Sequence, residues 1–317
     1  MNRIAVIHMG ALGDLVQILP TLRAIRVKWP TAHITLIGRP ERAAIAQVAG
    51  LADACRDFDS PASRAAAAEA ELVVDFVAPR QPPEQASGPR VIVVEPLPPA
   101  GWTEPAPAWV FRETSARLDL PRVSLTPEVP VPPPLVEAAR RFLESRSVRG
   151  SYAVIHPGSG SRKKNWPADR FAEIARRLRG DGGRAVVWLL GPAEIERGLA
   201  GEGATGKRRR PGETDLPGCG FAGTVFSNLP LDLVAGILSQ ADLYLGNDSG
   251  VTHLAAAVRD AGGRATPTVA LFGPSDVRLW APRGPHVRIV QSPDGTMDAM
   301  AVDRVWREID AMQPGGK

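Results

Sequence analysis

The sequence predicts an α/β protein made of two successive Rossmann-like, doubly wound domains. Short β-branched apolar runs alternate with helically spaced apolar patterns, and the alternation restarts after residue 150. A proline-dense stretch, Val123 to Pro134, separates the two series. Such alternation calls for parallel strands joined by crossover helices. A chain of 317 residues is also longer than one core usually supports.

In the first half, Ile4 to His8 is a short apolar run ending at Gly10, the pattern of a buried parallel strand. From Asp14 to Lys28, apolar residues at Leu15, Ile18, Leu19, Leu22 and Ile25 fall at helical spacing. Pro20 interrupts that helix and is expected to kink it or to mark a short preliminary turn. Ile34 to Gly38 reads as a strand, Glu41 to Ala49 as a helix, and Leu72 to Val77 and Val91 to Val94 as strands. Pro79 to Pro107 is proline-rich and weakly periodic, which predicts surface loops. Val123 to Pro134 predicts an extended connector.

The second half repeats the pattern. Strands are expected at Tyr152 to His156, Ala185 to Leu190, Leu243 to Gly246 and Thr268 to Phe272. Helices are expected at Leu135 to Arg146, Pro167 to Arg179, Leu233 to Ser239, Thr252 to Val258 and Met300 to Met312. Gly198 to Gly220 holds Lys207-Arg208-Arg209-Arg210 among glycines and reads as a mobile loop.

Composition excludes several classes. No apolar run approaches the roughly 18–20 residues that a membrane span needs. The N-terminus enters a short strand and a glycine turn at once, unlike a secretory signal. Cys55 and Cys219 are far apart and form no ligand pattern, so neither a disulfide framework nor a zinc site is expected, and a reducing cytoplasm fits. Net charge is +4, with only five lysines against many arginines. A mildly basic surface suits anionic partners, or is simply solvated. The basic cluster is isolated and no recognition motif accompanies it, so nucleic-acid binding is not expected.

Four glycine-rich turns follow strands. Gly10-Ala11-Leu12-Gly13-Asp14 lets backbone approach a ligand at the carboxyl end of the first strand, and Asp14 serves equally as a helix cap. It is not GxGxxG, and no Walker lysine follows. His156-Pro157-Gly158-Ser159-Gly160-Ser161 leads to Lys163-Lys164-Asn165-Trp166-Pro167. Small residues, hydroxyls and lysines in one loop suit a phosphate, or form an ordinary basic turn anchored by Trp166. Gly246-Asn247-Asp248-Ser249-Gly250-Val251-Thr252-His253 opens a helix whose free amides suit an anion. Asp248 or Ser249 is placed to bind a sugar hydroxyl or to cap that helix. Phe272-Gly273-Pro274-Ser275-Asp276 ends a strand at the same edge. Turns of this kind from one domain should converge at one edge of its sheet.

These motifs resemble glycosyltransferase family 9, the ADP-heptose:lipopolysaccharide heptosyltransferases, from Gly10 to Asp276. The most specific pieces are His156 to Gly160 with Lys164 to Pro167, and Gly246 to Gly250 with Thr252 to Ala256. The resemblance implies a GT-B fold, two Rossmann-like domains facing each other across a cleft. Residues 1–134 would bind the acceptor and 135–297 the donor nucleotide, with a C-terminal helix in 298–317 packing back on the first domain. It implies inverting transfer of heptose from ADP-heptose to a lipopolysaccharide inner-core acceptor, without cofactor or metal. Asp14 would be the general base, beside the acceptor-side loop Gly10, Ala11, Leu12 and Gly13. Lys164 would stabilise the departing diphosphate. Ser159, Gly160 and Ser161 would line the phosphates, with Ser249, Gly250, Val251, Thr252 and His253 nearby. Asp248 would hold donor-sugar hydroxyls, and Glu194 or Glu196 would touch ribose or base. The expected partner is a lipid-linked oligosaccharide at the cytoplasmic face of the membrane, met by a monomer. The alternatives are transfer of another nucleotide sugar, a sugar-nucleotide epimerase on the same fold, or a non-catalytic nucleotide-sugar-binding protein.

Overall fold

The computed structural model describes residues 1–77, 88–196 and 223–312. The chain divides into two compact units, Met1–Pro130 and Val131–Lys317. The loop expected over Gly198 to Gly220, with its basic cluster and Cys219, lies outside the described residues, as do residues 78–87 of the proline-rich stretch.

The first unit is built on strands β1 (Arg3–His8), β2 (His33–Gly38), β3 (Ala54–Asp57), β4 (Leu72–Asp75) and β5 (Arg90–Val93). They pair in the order β3-β2-β1-β4-β5, all parallel. Ile4 sits between Ile34 and Leu72 in register. The strand order reverses between β1 and β4, and such a switch point is where open α/β sheets take ligands.

Helix α1 (Leu12–Lys28) starts two residues earlier than its apolar spacing suggests and runs unbroken through Pro20. Proline costs that helix one hydrogen bond. Leu15, Val16, Ile18, Leu19, Leu22 and Ile25 are all buried, and this packing holds the helix together across the gap. Helices α2 (Pro40–Val48), α3 (Pro61–Glu69) and α4 (Ala106–Leu118) complete the unit, followed by the two-residue strand β6 (Val129–Pro130). Ser60 caps α3 by accepting from Ser63 N at 3.1 Å. Within the proline-rich stretch the expected strand is present as β5, and the stretch ends inside helix α4.

Helix α5 (Pro133–Ser145) opens the second unit. Pro133 and Pro134 form its first turn and do not extend the connector, because proline lacks only an N–H that the first turn leaves unused. The remaining elements are β7 (Tyr152–His156), a 3-10 turn at Arg162–Lys164, α6 (Ala168–Gly182), β8 (Ala185–Leu190), α7 (Pro192–Glu196) and β9 (Thr224–Ser227). They continue with α8 (Leu231–Gln240), β10 (Leu243–Asn247), α9 (Gly250–Ala257), β11 (Val258–Arg259), β12 (Thr268–Phe272), α10 (Val277–Trp280), β13 (Val287–Gln291) and α11 (Val302–Asp310). Six strands form a parallel sheet in the order β13-β12-β10-β7-β8-β9. Its switch point lies between β7 and β10.

Helix α11 contributes to the core of the second unit. Val305 and Ile309 are fully buried in the second unit's core with Phe171, Ile174 and Leu178 of α6. Arg177 on α6 also pairs with Asp303 at 2.8 Å. The apolar stripe of α11 is short, and Val302 and Trp306 extend it as partly buried residues against the same core. Replacing Ile309 with Ala should therefore lower stability by about 2–5 kcal/mol, as for other buried aliphatic truncations. Urea unfolding measures this, and a near-zero change would refute the packing.

Candidate functional site

In the first unit, the turn after β1 gathers His8, Gly10, Asp14 and Arg42. Asp14 is the third residue of α1, not its cap, and its carboxylate reaches back to accept Ala11 N–H through Oδ2 at 2.8 Å. Its other oxygen has no hydrogen-bond partner among the described residues, which leaves a lone pair for a proton. A side chain at Gly10 would press on Asp14 and His8, its Cβ lying 2.9 Å from Asp14 and 3.0 Å from the His8 ring. Arg42 on α2 donates to the Gly10 carbonyl at 2.9 Å. Burial pushes the His8 imidazole down to about 4; the Asp14 charge pulls it up and the Arg42 charge pushes it further down. His8 is therefore neutral at pH 7.

In the second unit, the loops after β7 and β10 leave the switch point together. Asn247, the last residue of β10, is fully buried. Its Oδ1 accepts from Trp166 N at 3.0 Å, and its Nδ2 donates to the Pro157 carbonyl at 2.7 Å. One side chain thus spans both ends of the phosphate-type loop. Trp166 is buried too: its ring stands edge-on to Phe171 at 5.0 Å, and its indole N–H donates to Met300 O at 2.9 Å.

Lys164 is carried on the 3-10 turn between these anchors. Its Nζ donates to Asp248 Oδ2 at 2.7 Å, and Ser275 Oγ donates to the same oxygen at 2.5 Å. His253 Nε2 lies 3.8 Å from Asp248 Oδ1, beyond hydrogen-bond range but close enough for charge interaction. Burial alone would raise the Asp248 carboxyl. His253, Lys164 and Ser275 outweigh it and hold the group at about 2. Asp248 is thus a buried acceptor that is ionised at neutral pH, and Lys164 is the ammonium paired with it.

The other expected residues divide by role. Ser249 caps α9, accepting from Thr252 N at 3.3 Å. Thr252 is fully buried, donates to the Asn247 carbonyl and meets Tyr244 OH at 2.9 Å. Both hydroxyls therefore serve the fold. The Gly250 and Val251 amides are left in the first turn of α9, where helix ends attract anions. Ser159 Oγ lies 2.7 Å from Ser161 O and 2.5 Å from Asn165 Oδ1, so it braces its own loop. A Cβ at Gly160 would meet nothing within 4 Å, and Ser161 is half-buried.

Glu194, on α7 after β8, is buried. Its Oε2 accepts from Gly191 N at 2.7 Å. Its carboxyl fills the space where a side chain at Gly158 would stand. Burial lowers the pKa of His156 while the Glu194 charge raises it, and His156 Nδ1 meets the Leu189 carbonyl at 2.8 Å. Glu196 ends the same short helix.

Sequence reasoning assigned no role to His8, Arg42, Asn247 or Ser275. Asn247 and Ser275 did stand within the quoted motifs. A polar residue closing an otherwise apolar strand is the signal that marks both His8 and Asn247, since buried polar groups need partners. Among the described residues, no group of three or more His, Cys, Asp or Glu could hold a metal ion.

Two outcomes follow from this geometry. Gly158→Ala should cost about 1–3 kcal/mol by overpacking. Thermal melts should show most of that loss relieved in a Glu194→Ala background; an undiminished loss would separate the two residues. The Asp248 carboxylate, held below its ordinary value, stabilises the fold above about pH 4 and loses that effect as the pH falls towards about 2. The contribution is about 2 kcal/mol. Asp248→Asn should flatten the acid limb of the stability curve in that window, read by urea unfolding.

The chain has known relatives. Residues 108–304 match glycosyltransferase family 9 (heptosyltransferase). Lipopolysaccharide heptosyltransferase 3 of Escherichia coli (strain K12) is 30% identical over 148 residues, 45% of this chain and 37% of that protein. The chain thus covers well under half the length of that curated relative. The crystal structure of the glycosyl transferase family 9 from Veillonella parvula DSM 2008 superposes with a TM-score of 0.73 at 17% identity, covering 98% of this chain and 97% of that one. E. coli ADP-heptose lps heptosyltransferase II gives 0.71 at 18% identity, covering 98% of each chain. These likenesses show that the fold is GT-B. The family match spans the switch-point loop, the Asp248 turn and the Ser275 turn, over more than half of the sequence. On that evidence, the chain belongs to glycosyltransferase family 9.

Proposed function

We propose that this chain is an inverting glycosyltransferase that moves heptose from ADP-heptose to a lipopolysaccharide inner-core acceptor. The observation that carries the reading is the Lys164–Asp248–Ser275 cluster beside the first-turn amides of α9. A cation next to free helix amides suits a diphosphate, and an ionised buried carboxylate suits sugar hydroxyls. The similarity to E. coli lipopolysaccharide heptosyltransferase 3 and ADP-heptose lps heptosyltransferase II suggests the donor and acceptor classes.

In the proposed step, an acceptor hydroxyl oxygen attacks the anomeric carbon of the donor sugar. Its proton passes to the free oxygen of Asp14, which the Ala11 amide holds in place. The bond from the anomeric carbon to the diphosphate oxygen breaks as the new bond forms on the opposite face. ADP leaves with the electron pair. Lys164 moves from Asp248 to the leaving oxygen, and the Gly250 and Val251 amides share its charge. Neutral His8 supports Asp14 as a base by adding no competing positive charge. We read the diphosphate charge as met by these groups without a metal ion or cofactor.

The acceptor, a lipid-linked oligosaccharide, would place the reaction at the cytoplasmic membrane face, with the enzyme acting as a peripheral monomer. Among the described residues, no helix is long and apolar enough to cross a membrane.

Asp14→Asn should lower kcat by about 10²–10⁴-fold, the usual contribution of a general base. ADP affinity, measured by calorimetry, should stay within about twofold. Full turnover by the variant would end the base assignment. Release of UDP rather than ADP from a panel of nucleotide sugars would redirect the donor assignment.

A further inference from the structure

We propose that a hollow beside Asp248 is a subsite for the exocyclic polyol arm of the donor sugar, with Gln291 as its specificity-determining residue. The inference rests on the reading above, in which Asp248 receives donor-sugar hydroxyls.

The hollow has a volume of about 570 Å³ and opens at the carboxyl ends of β12 and β13. This is the edge where doubly wound sheets take ligands, and the volume suits a small-molecule group. Ser275 lines it, and the Ser275 hydroxyl donates to Asp248 Oδ2 at 2.5 Å. Ser275 thus joins the wall of the hollow to the carboxylate that also meets Lys164, although Asp248 itself does not line it.

The chemistry of the wall favours a polyol over a base or an acyl chain. Gln291 closes β13, lines the hollow, and is exposed, with its amide unengaged by other side chains among the described residues and open to a ligand hydroxyl. An amide offers donors and an acceptor together, which is what a hydroxyl pair needs. Asp276 and Arg278 add a further acceptor and donor, joined in an exposed pair at 2.9 Å. Val277 supplies apolar surface for the C–H face of the arm. Purely apolar pockets discriminate weakly against a missing hydroxymethyl group, whereas a site built to hydrogen-bond it discriminates strongly. The arm that distinguishes a heptose from a hexose is thus matched by Gln291 rather than by Asp248.

The test compares ADP-heptose with an ADP-hexose of the same ring configuration, as donors for the full-length wild-type chain and two variants. Gln291→Leu should raise KM for ADP-heptose about tenfold with kcat little changed, and leave the ADP-hexose constants as they were. Val277→Trp, which fills the hollow, should shut out ADP-heptose while still admitting the hexose. Unchanged ADP affinity by calorimetry shows that each variant is folded, and either variant alone decides the matter. A heptose preference that neither variant moves, or equal losses for both donors, overturns the subsite alone. No heptose transfer by the wild-type chain overturns the functional reading together with it.

Discussion

Both ends of the Asn247 side chain are committed. Its amide is fully buried at the end of β10, accepting from Trp166 N and donating to the Pro157 carbonyl. Those two partners bracket the loop from Pro157 to Trp166. Without the amide, a buried N–H and a buried C=O would both lose their hydrogen bonds, at about 1–3 kcal/mol each. The loop cannot drift while both bonds hold, and Lys164 rides on it. The turn that carries Lys164 is therefore anchored from the sheet, through Asn247, while the lysine side chain keeps its own freedom.

The same logic governs the charges. A carboxylate as buried as Asp248 would ordinarily be driven toward its neutral form. It stays ionised because Lys164, Ser275 and His253 face it. In the proposed reaction a diphosphate would draw the lysine away, and Asp248 would keep the Ser275 bond and offer a lone pair to a ligand hydroxyl. Until then the ion pair leaves neither charge without a partner.

How much of this could be read in advance depends on what each residue senses. The strands at Ile4, Tyr152, Ala185 and Thr268 were legible because unbroken β-branched runs buried on both faces have few alternatives. The short strand β3 was not, since Ala54–Asp57 is half exposed and carries two charges. Helix α4 starts at Ala106 within a proline-rich stretch, and prolines that read as loop signals become first-turn residues once packing selects a helix. The site was legible wherever glycine and charge sit in one turn, as at Lys164 and Asp248. It was opaque at His8, Arg42 and Asn247. Their partners are the Asp14 charge, the Gly10 carbonyl and the ends of a distant loop, and only the folded chain brings these together.

The hydroxyls in the donor half show why motif residues and binding residues differ. Ser249, Thr252 and Ser159 look like phosphate ligands by type and place, yet each is engaged inside the protein. Ser249 caps α9, Thr252 ties Tyr244 to the Asn247 carbonyl, and Ser159 braces Asn165. The groups left for an anion are backbone amides of α9 and the Lys164 ammonium. Backbone amides recognise a diphosphate by charge and shape, and they do so regardless of the sugar beyond it. Discrimination between sugars must then come from side chains with unused hydrogen-bonding capacity. In the proposed subsite that capacity would lie past Ser275, at the end of β13. Holding the phosphates and choosing the sugar would then fall to different strand ends of one sheet, β10 and β13, with β12 between them.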